Sequence, residues 1–388
     1  MTDPSPRRSP LHEVHAAAGA VFTEFAGWTM PLRYSGDLAE HAAVRRAAGL
    51  FDLSHMAEIL VLGPGAADAL DAALLGELST VPVGRAKYTL LLNGEGGVVD
   101  DLVVYRTGED RYLVVANAAN REVVVDRLRD RVVGFAAEVQ DETDEVGLIA
   151  LQGPRAEEIL LEVPAFAIAD AADPTEQHFR ESLTALRNYR FLRALWDGHP
   201  VLVARTGYTG EDGFELYAAP ELLPRLWTVL ADTGRGAGLV PAGLAARDTL
   251  RLEAGMPLYG QELTALTTPQ QAGLARLVRR DKAADYVGRA AVESPEAEGA
   301  RVLVGLAAEG RRAARAGYPV LAGDPSAGPG AGREVGVVTS GALSPTLGHP
   351  IAMAYVDRDA TGEALAVDVR GTRLPVTTVP LPFYSRKA

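Results

Sequence analysis

The strongest constraint in this sequence is a pair of strand–turn–strand patterns, each broken by a cluster of glycines. In the first, residues 88–93 form an apolar run, Gly94-Glu-Gly-Gly97 is the turn, and the apolar pattern resumes over residues 98–105. In the second, residues 201–205 lead into Gly207-Tyr-Thr-Gly-Glu-Asp-Gly213, and residues 214–218 return. Hairpins commit their strands to antiparallel pairing. Helical patterns over residues 121–131, 155–161, 220–233 and 244–254 are interleaved with these strands without a regular strand–helix–strand repeat. That order predicts an α+β fold and not a doubly wound parallel sheet.

Nearer the start, residues 12–26 are Ala-rich and helix-compatible, and a second helix is expected over residues 36–49, with Asp37 as its cap and Gly49 as its stop. Residues 57–62 alternate as a strand. From Arg301 onward, short strands are separated by Gly, Pro and Ser clusters, and residues 323–332 form the most polar loop. A small all-β domain is therefore expected at the C-terminus, dividing the chain into residues 1–285 and 286–388.

The 388 residues carry a formal net charge of −13 and no cysteine. Thiol nucleophiles, Cys-ligated zinc and iron–sulfur clusters are excluded. Basic residues never run beyond two in a row, which argues against nucleic acid as a partner. The absence of a long apolar run argues against a membrane span, and a cytoplasmic location is expected. The only lysines are Lys87, Lys282 and Lys387, so pyridoxal-phosphate chemistry would need one of three positions.

Four constellations could carry chemistry. Asp100 and Asp101 are adjacent on a strand and must point to opposite faces, so at most one can look into a cavity; the alternative is an Asp that satisfies the glycine turn. Tyr208 and Glu215 flank a turn with three glycines, where a ligand can approach the backbone, a ring can stack and a carboxylate can bind an N–H pair. A glycine-rich hairpin with surface carboxylates is the plainer reading. Arg247 and Arg251 are four apart on one predicted helix face and could clamp a carboxylate, or pair only with structural acids. Among the histidines, His12 and His15 read as a solvated helix face, and His55 as a structural residue in Phe51-Asp-Leu-Ser-His-Met56.

Taken in order, several segments resemble the glycine cleavage system T-protein (aminomethyltransferase) family. They are Phe25-Ala-Gly-Trp28 with Met30-Pro31, residues 51–56, residues 88–93, residues 96–103, Leu151-Gln-Gly-Pro154, residues 207–215, residues 243–260, Thr339-Ser-Gly341 with Ser344-Pro-Thr-Leu-Gly348, and Pro382-Phe-Tyr384. The likeness extends from about residue 12 to residue 386, and nine motifs in one order make it specific.

The resemblance implies a three-lobed, cloverleaf-like arrangement with a central folate cavity, two intertwined α+β subdomains and a C-terminal β-barrel domain. It implies tetrahydrofolate as co-substrate, with no metal and no pyridoxal phosphate. The implied partner is the lipoylated H-protein, whose aminomethyl group would be split into ammonia and the methylene of 5,10-methylenetetrahydrofolate. Carried over by position, Asp101 is the catalytic acid and Asp100 its outward neighbour. Glu215 is the pterin-binding carboxylate, Met56, Tyr88, Asn117 and Tyr208 line the pocket, and Arg247 and Arg386 are folate-contacting arginines. A monomer or weak dimer is expected. Another folate-dependent demethylase or methyltransferase, or a non-catalytic folate-binding protein, is the alternative. The latter resembles a Lys-Gly-Cys-Tyr type of motif where this chain has Arg205-Thr-Gly-Tyr208. Arginine clusters at Arg187/Arg190/Arg193 and Arg276/Arg279/Arg280 could meet an acidic partner or be ordinary solvated faces.

Overall fold

The computed structural model describes residues 5–171, 175–323 and 332–386. Most of the polar loop expected over residues 323–332, and Lys387, lie outside them. The chain divides into two units, one of residues up to Leu70 with Leu78–Tyr88 and Leu102–Asp248, the other of Asp71–Glu77, Thr89–Asp101 and the remainder from Thr249.

In the first unit a seven-stranded sheet runs Phe166–Ile168, Phe191–Trp196, His199–Ala204, Gly213–Ala218, Gly147–Gln152, Ala48–Asp52, Leu239–Pro241. Every pair is antiparallel except the last, which is parallel. Three helices, Ala156–Glu162, Glu176–Ala185 and Leu223–Gly234, turn apolar residues into one core with it, including Ile159, Phe179, Leu226, Trp227 and Leu230. Each large apolar side chain buried there contributes about 1.5–3 kcal/mol relative to exposure. Phe166 and Phe179 stack with centroids 4.6 Å apart.

A five-stranded sheet has the order Ala86–Leu92, Val98–Gly108, Arg111–Ala116, Ala57–Leu62, Glu138–Asp141, and its first two strands carry the chain across the division. The second unit holds a closed six-stranded barrel built from Arg301–Ala307, Pro350–Asp357, Arg333–Leu343, Pro319–Ala322, Leu365–Val369 and Thr372–Val379. Closure leaves no open edge, and Val320, Val335, Val356 and Val367 fill the barrel core. Both hairpins, the strand over residues 57–62 and the four later helices form close to where the apolar periodicity places them.

Three expectations near the start fail. The helix begun at His12 ends at Ala17, and Val21–Phe25 is a strand. Gly19 takes a φ of 76° between them, and the Val-Phe-Thr-Glu-Phe run that follows favours a pleated surface over a helix. Asp37 is not a cap, because Gly36 occupies that position with φ 132° and the helix is Asp37–Arg46. Gly49 lies inside the Ala48–Asp52 strand and does not stop the helix. A Cβ at Gly49 would stand 2.5 Å from the Val44 side chain, so it is the close approach of helix and strand that requires glycine.

Candidate active site

The Phe51–Met56 motif is set by a buried polar cluster. Asp52 accepts hydrogen bonds from Ser9 and from the Ser54 N–H at 2.9 Å, and His15 Nε2 lies 2.9 Å from its carboxylate. Tyr34 Oη closes the cluster at 2.9 Å from His15 Nδ1. Burial alone would raise the Asp52 carboxyl, but His15, Ser9 and the Ser54 N–H outweigh it and hold it below the ordinary range. His15 is completely buried, which overturns the expectation of a solvated His12/His15 face. His12 lies against Phe22 at a centroid distance of 4.6 Å.

His55 follows this cluster, 3% exposed and edge-on to Phe25 at 5.5 Å. Burial, then the Arg247 charge, push its pKa down to about 4, so at neutral pH it is an uncharged imidazole. Its Nδ1 is buried and, among the described residues, has no hydrogen-bond partner. Met56, half-buried, precedes the Ala57–Leu62 strand, and Asn117, also half-buried, follows Arg111–Ala116. The register pairs Ala57 with Ala116, so Met56 and Asn117 stand at adjoining strand ends.

The second hairpin is locked from below by Gln152 of Leu151-Gln-Gly-Pro154. Its Nε2 donates to Thr206 O at 3.1 Å, and Thr209 Oγ1 donates to its Oε1 at 3.2 Å. A Cβ at Gly207 would fall 2.0 Å from Gln152 Oε1, and one at Gly213 would fall 2.5 Å from Nε2. Two arginines clamp the turn: Arg45 bonds Thr209 O at 2.7 Å and Glu211 at 2.8 Å, and Arg205 bonds Asp212 at 3.0 Å and Glu157 at 2.8 Å. Glu211 and Asp212 are therefore structural acids of the turn.

Glu215 is different. Its Oε2 accepts from Thr206 Oγ1, from Tyr105 Oη at 3.3 Å and from Tyr217 Oη at 3.4 Å. Tyr105 Oη is also 3.1 Å from Tyr217 Oη and 3.0 Å from Thr206 Oγ1. Among the described residues Oε1 accepts no hydrogen bond, although the side chain is half-buried. Burial, then the Glu215 charge, raise the Tyr105 hydroxyl well above its ordinary value. Burial, then Tyr105 and Glu215, do the same for Tyr217, so both remain donors. Tyr105, Thr206 and Tyr217 escaped the sequence reading; the alternation that puts Glu215 and Tyr217 on one strand face was the available signal.

Arg247 is carried on the Leu244–Glu253 helix, which is entered at Gly243, whose N–H donates to the buried Glu40 at 2.9 Å. Its guanidinium lies 4.8 Å from the Tyr208 ring centroid. Tyr88 is half-buried on Ala86–Leu92. The first unit thus holds Met56, Tyr88, Asn117, Tyr208, Glu215 and Arg247.

Asp101 and Arg386 belong to the second unit. Asp100 is completely buried whereas Asp101 is half-buried, so Asp100 is not an outward neighbour. Burial, then Asp100 and Asp101, raise the Tyr259 hydroxyl. Arg251 does not join a clamp. Its Nη1 pairs with the buried Glu262 at 3.0 Å and its Nη2 donates to Ser340 Oγ at 2.8 Å. Glu253 is held by Ser344 and by Thr346 Oγ1 at 2.7 Å, so the Thr339–Gly341 and Ser344–Gly348 motifs anchor this helix end. Arg386 is half-buried beyond Tyr384, whose N–H donates to Glu253 O at 2.8 Å.

A carboxylate with one oxygen fixed by hydroxyls and the other open fits a planar heterocycle with an N–H edge. The GCVT N-terminal domain matches residues 11–282, and the glycine cleavage T-protein C-terminal barrel domain matches residues 301–385. The chain is 56% identical to an aminomethyltransferase of Saccharopolyspora erythraea, over 99% of this chain and 100% of that protein. It is 54% identical to one of Cutibacterium acnes, over 98% and 99% of the two chains. The crystal structure of the glycine cleavage system aminomethyltransferase T from Bartonella henselae aligns with a TM-score of 0.85 at 36% identity, covering 98% of each chain. The chain belongs to the glycine cleavage T-protein family of aminomethyltransferases. Among the described residues, no helix is long and apolar enough to cross a membrane, and no group of three or more His, Asp or Glu is placed to hold a metal ion.

Proposed function

We propose that this cytoplasmic enzyme takes the methylene carbon of an aminomethyl group carried on the lipoyl arm of the H-protein, passes it to tetrahydrofolate, and releases ammonia, 5,10-methylenetetrahydrofolate and the H-protein with its lipoyl arm reduced to the free thiol. Residues 1–285 would form the folate-binding region and residues 286–388 the barrel domain. The observation that carries the reading is the open Oε1 of Glu215, held in place by the three hydroxyls on Oε2.

In this reading Glu215 accepts hydrogen bonds from the N–H groups on the pterin edge, a charge-assisted pair of the strong kind. Met56, Tyr88, Asn117 and Tyr208 line the ring, and Arg247 and Arg386 hold the carboxylates of the glutamate tail. Folate supplies the nucleophilic nitrogen. Asp101 acts as an ionised carboxylate that orients that nitrogen and stabilises the positive charge developing as the amine leaves.

Tetrahydrofolate titration of Glu215→Gln tests the reading. The amide keeps the shape and loses the anion, so affinity should fall about 10-fold to 100-fold, the worth of about 1.5–3 kcal/mol for a charged hydrogen bond. Unchanged affinity would remove Glu215 from the site.

A further inference from the structure

Glu40 lies on the Asp37–Arg46 helix and is completely buried, a costly place for a carboxylate unless its oxygens are hydrogen-bonded. Three backbone N–H groups meet it. Oε1 accepts from Tyr34 at 2.7 Å and from Gly36 at 3.0 Å, whereas Oε2 accepts from Gly243 at 2.9 Å, 203 residues along the chain. The first two bonds fix the carboxylate where the Trp28–Arg33 strand turns into the helix that carries Glu40. The third reaches the residue that opens the Leu244–Glu253 helix.

Two further contacts fix that helix start. A Cβ at Gly243 would fall 2.3 Å from Leu32 O and 2.6 Å from Arg33 N, so the backbone there lies against the end of the Trp28–Arg33 strand and has room only for glycine. The Ala242 N–H donates to Leu50 O at 2.9 Å, which ties the preceding residue to the Ala48–Asp52 strand. Arg247 stands one turn further on. Its N–H donates to Gly243 O at 3.1 Å, and its guanidinium lies 4.8 Å from the Tyr208 ring centroid. Gly243 therefore gives its N–H to Glu40 and its carbonyl to Arg247, which makes it the joint between the buried carboxylate and the arginine. A carboxylate at this end of the helix also meets the positive end of the helix dipole. Binding groups depend on such supporting contacts, because a displacement of about 1 Å is enough to forfeit a well-placed interaction.

We propose that Glu40 is a positioning residue of the folate site: by holding the Gly243 N–H it sets the start of the Leu244–Glu253 helix against the Leu32–Arg33 backbone, and so keeps Arg247 over Tyr208, where the guanidinium meets a carboxylate of the folate tail. The inference rests on the reading of Arg247 as a folate-contacting arginine. An amide in place of the Glu40 carboxylate keeps its volume but turns one accepting oxygen into a donor, so that at least one of the three N–H groups loses its partner. The Gly243 N–H depends on Oε2 alone, and its loss frees the helix start.

The test is tetrahydrofolate titration of the full-length protein in a double-variant cycle of Glu40→Gln and Arg247→Met, with Gly243→Ala alongside. Glu40→Gln should bind tetrahydrofolate about tenfold more weakly than wild type, but less than about twofold more weakly when Arg247→Met is already present, because the contact it sets is then gone. Turnover at saturating folate should stay within about twofold of wild type, since a lost binding contact raises KM and leaves kcat. Gly243→Ala, which pushes the same helix start off Leu32, should show the same pattern, and it decides if Glu40→Gln fails to fold. A folded Glu40→Gln that binds like wild type overturns the proposal, as does an equal loss with and without Arg247, the mark of a merely structural role. If Arg247→Met weakens binding while Glu40→Gln does not, only this inference fails. If Arg247→Met binds like wild type, the reading of Arg247 fails and this inference falls with it.

Discussion

Arg251→Met separates the two arginines that share the Leu244–Glu253 helix. The Arg251 side chain is 3% exposed and that of Glu262 is fully buried, with Nη1 and Oε2 3.0 Å apart. Ser340 Oγ accepts from Arg251 Nη2 at 2.8 Å and donates to Glu262 Oε1 at 2.6 Å. Removing Arg251 leaves the Glu262 carboxyl in the interior with, among the described residues, the Ser340 hydroxyl and the Leu258 N–H to hold it. Breaking a buried pair on one side costs about 3–5 kcal/mol, whereas replacing both partners by apolar groups is often near neutral. Arg251→Met should therefore lose about 3–5 kcal/mol in urea denaturation, and Arg251→Met/Glu262→Met should recover most of it. Arg247→Met is the contrast. That side chain is half-buried over Tyr208, and losing the contact should cost about 1 kcal/mol while folate affinity drops about tenfold or more. If Arg251→Met stays within about 1 kcal/mol of wild type, or the double variant is as damaged as the single one, the assignment of Arg251 to the scaffold is wrong.

Three further outcomes can be checked on purified variants. Gly207→Ala drives a methyl against Gln152 Oε1 and should cost about 2 kcal/mol in thermal denaturation through the two hydrogen bonds Gln152 makes to the turn; wild-type stability would show that the turn yields freely. Lys282, 2% exposed, donates to Asp71 O at 2.5 Å in the last turn of the Ala66–Ala73 helix, and to Leu74 O at 2.7 Å and Gly76 O at 3.0 Å just beyond it. Lys282→Met should thus lose about 2–3 kcal/mol, and an unchanged denaturation midpoint would refute that capping role. His55 is held neutral in the fold at a pKa of about 4, below its unfolded value near 6.5, so its contribution is complete above about pH 6.5 and is lost as pH falls toward 4. His55→Asn should remove up to about 3 kcal/mol of that acid sensitivity, and a pH–stability curve identical to wild type would contradict it.

The α+β class, both hairpins and an all-β C-terminal domain were legible because apolar periodicity and glycine clusters record local backbone geometry, whereas closure of that domain into a barrel was implied only by the family resemblance. Glu215 and Arg247 stand out in the sequence as residue types in a ligand-like setting, and they remain proposed site residues. What the sequence hid is polar burial between distant segments. His15 reads as solvent-facing until Asp52, 37 residues on, takes its ring nitrogen. Arg251 and Arg247 look equivalent on one helix face until Glu262 and Ser340 claim the first. Asp100 and Asp101 were known to diverge, but which of them is buried depends on packing that neither carries. Gly49 was misread for the same reason: its neighbour in space, Val44, lies on the preceding helix.

Ammonia release from aminomethyl-loaded H-protein, followed with and without tetrahydrofolate while methylenetetrahydrofolate is measured in the same reaction, tests the proposed transfer most directly. Release that depends on folate, matches methylenetetrahydrofolate one for one and collapses in Asp101→Asn while folate stays bound is the expected result. Tight folate binding with no ammonia from competent H-protein, or full turnover by Asp101→Asn, would contradict it.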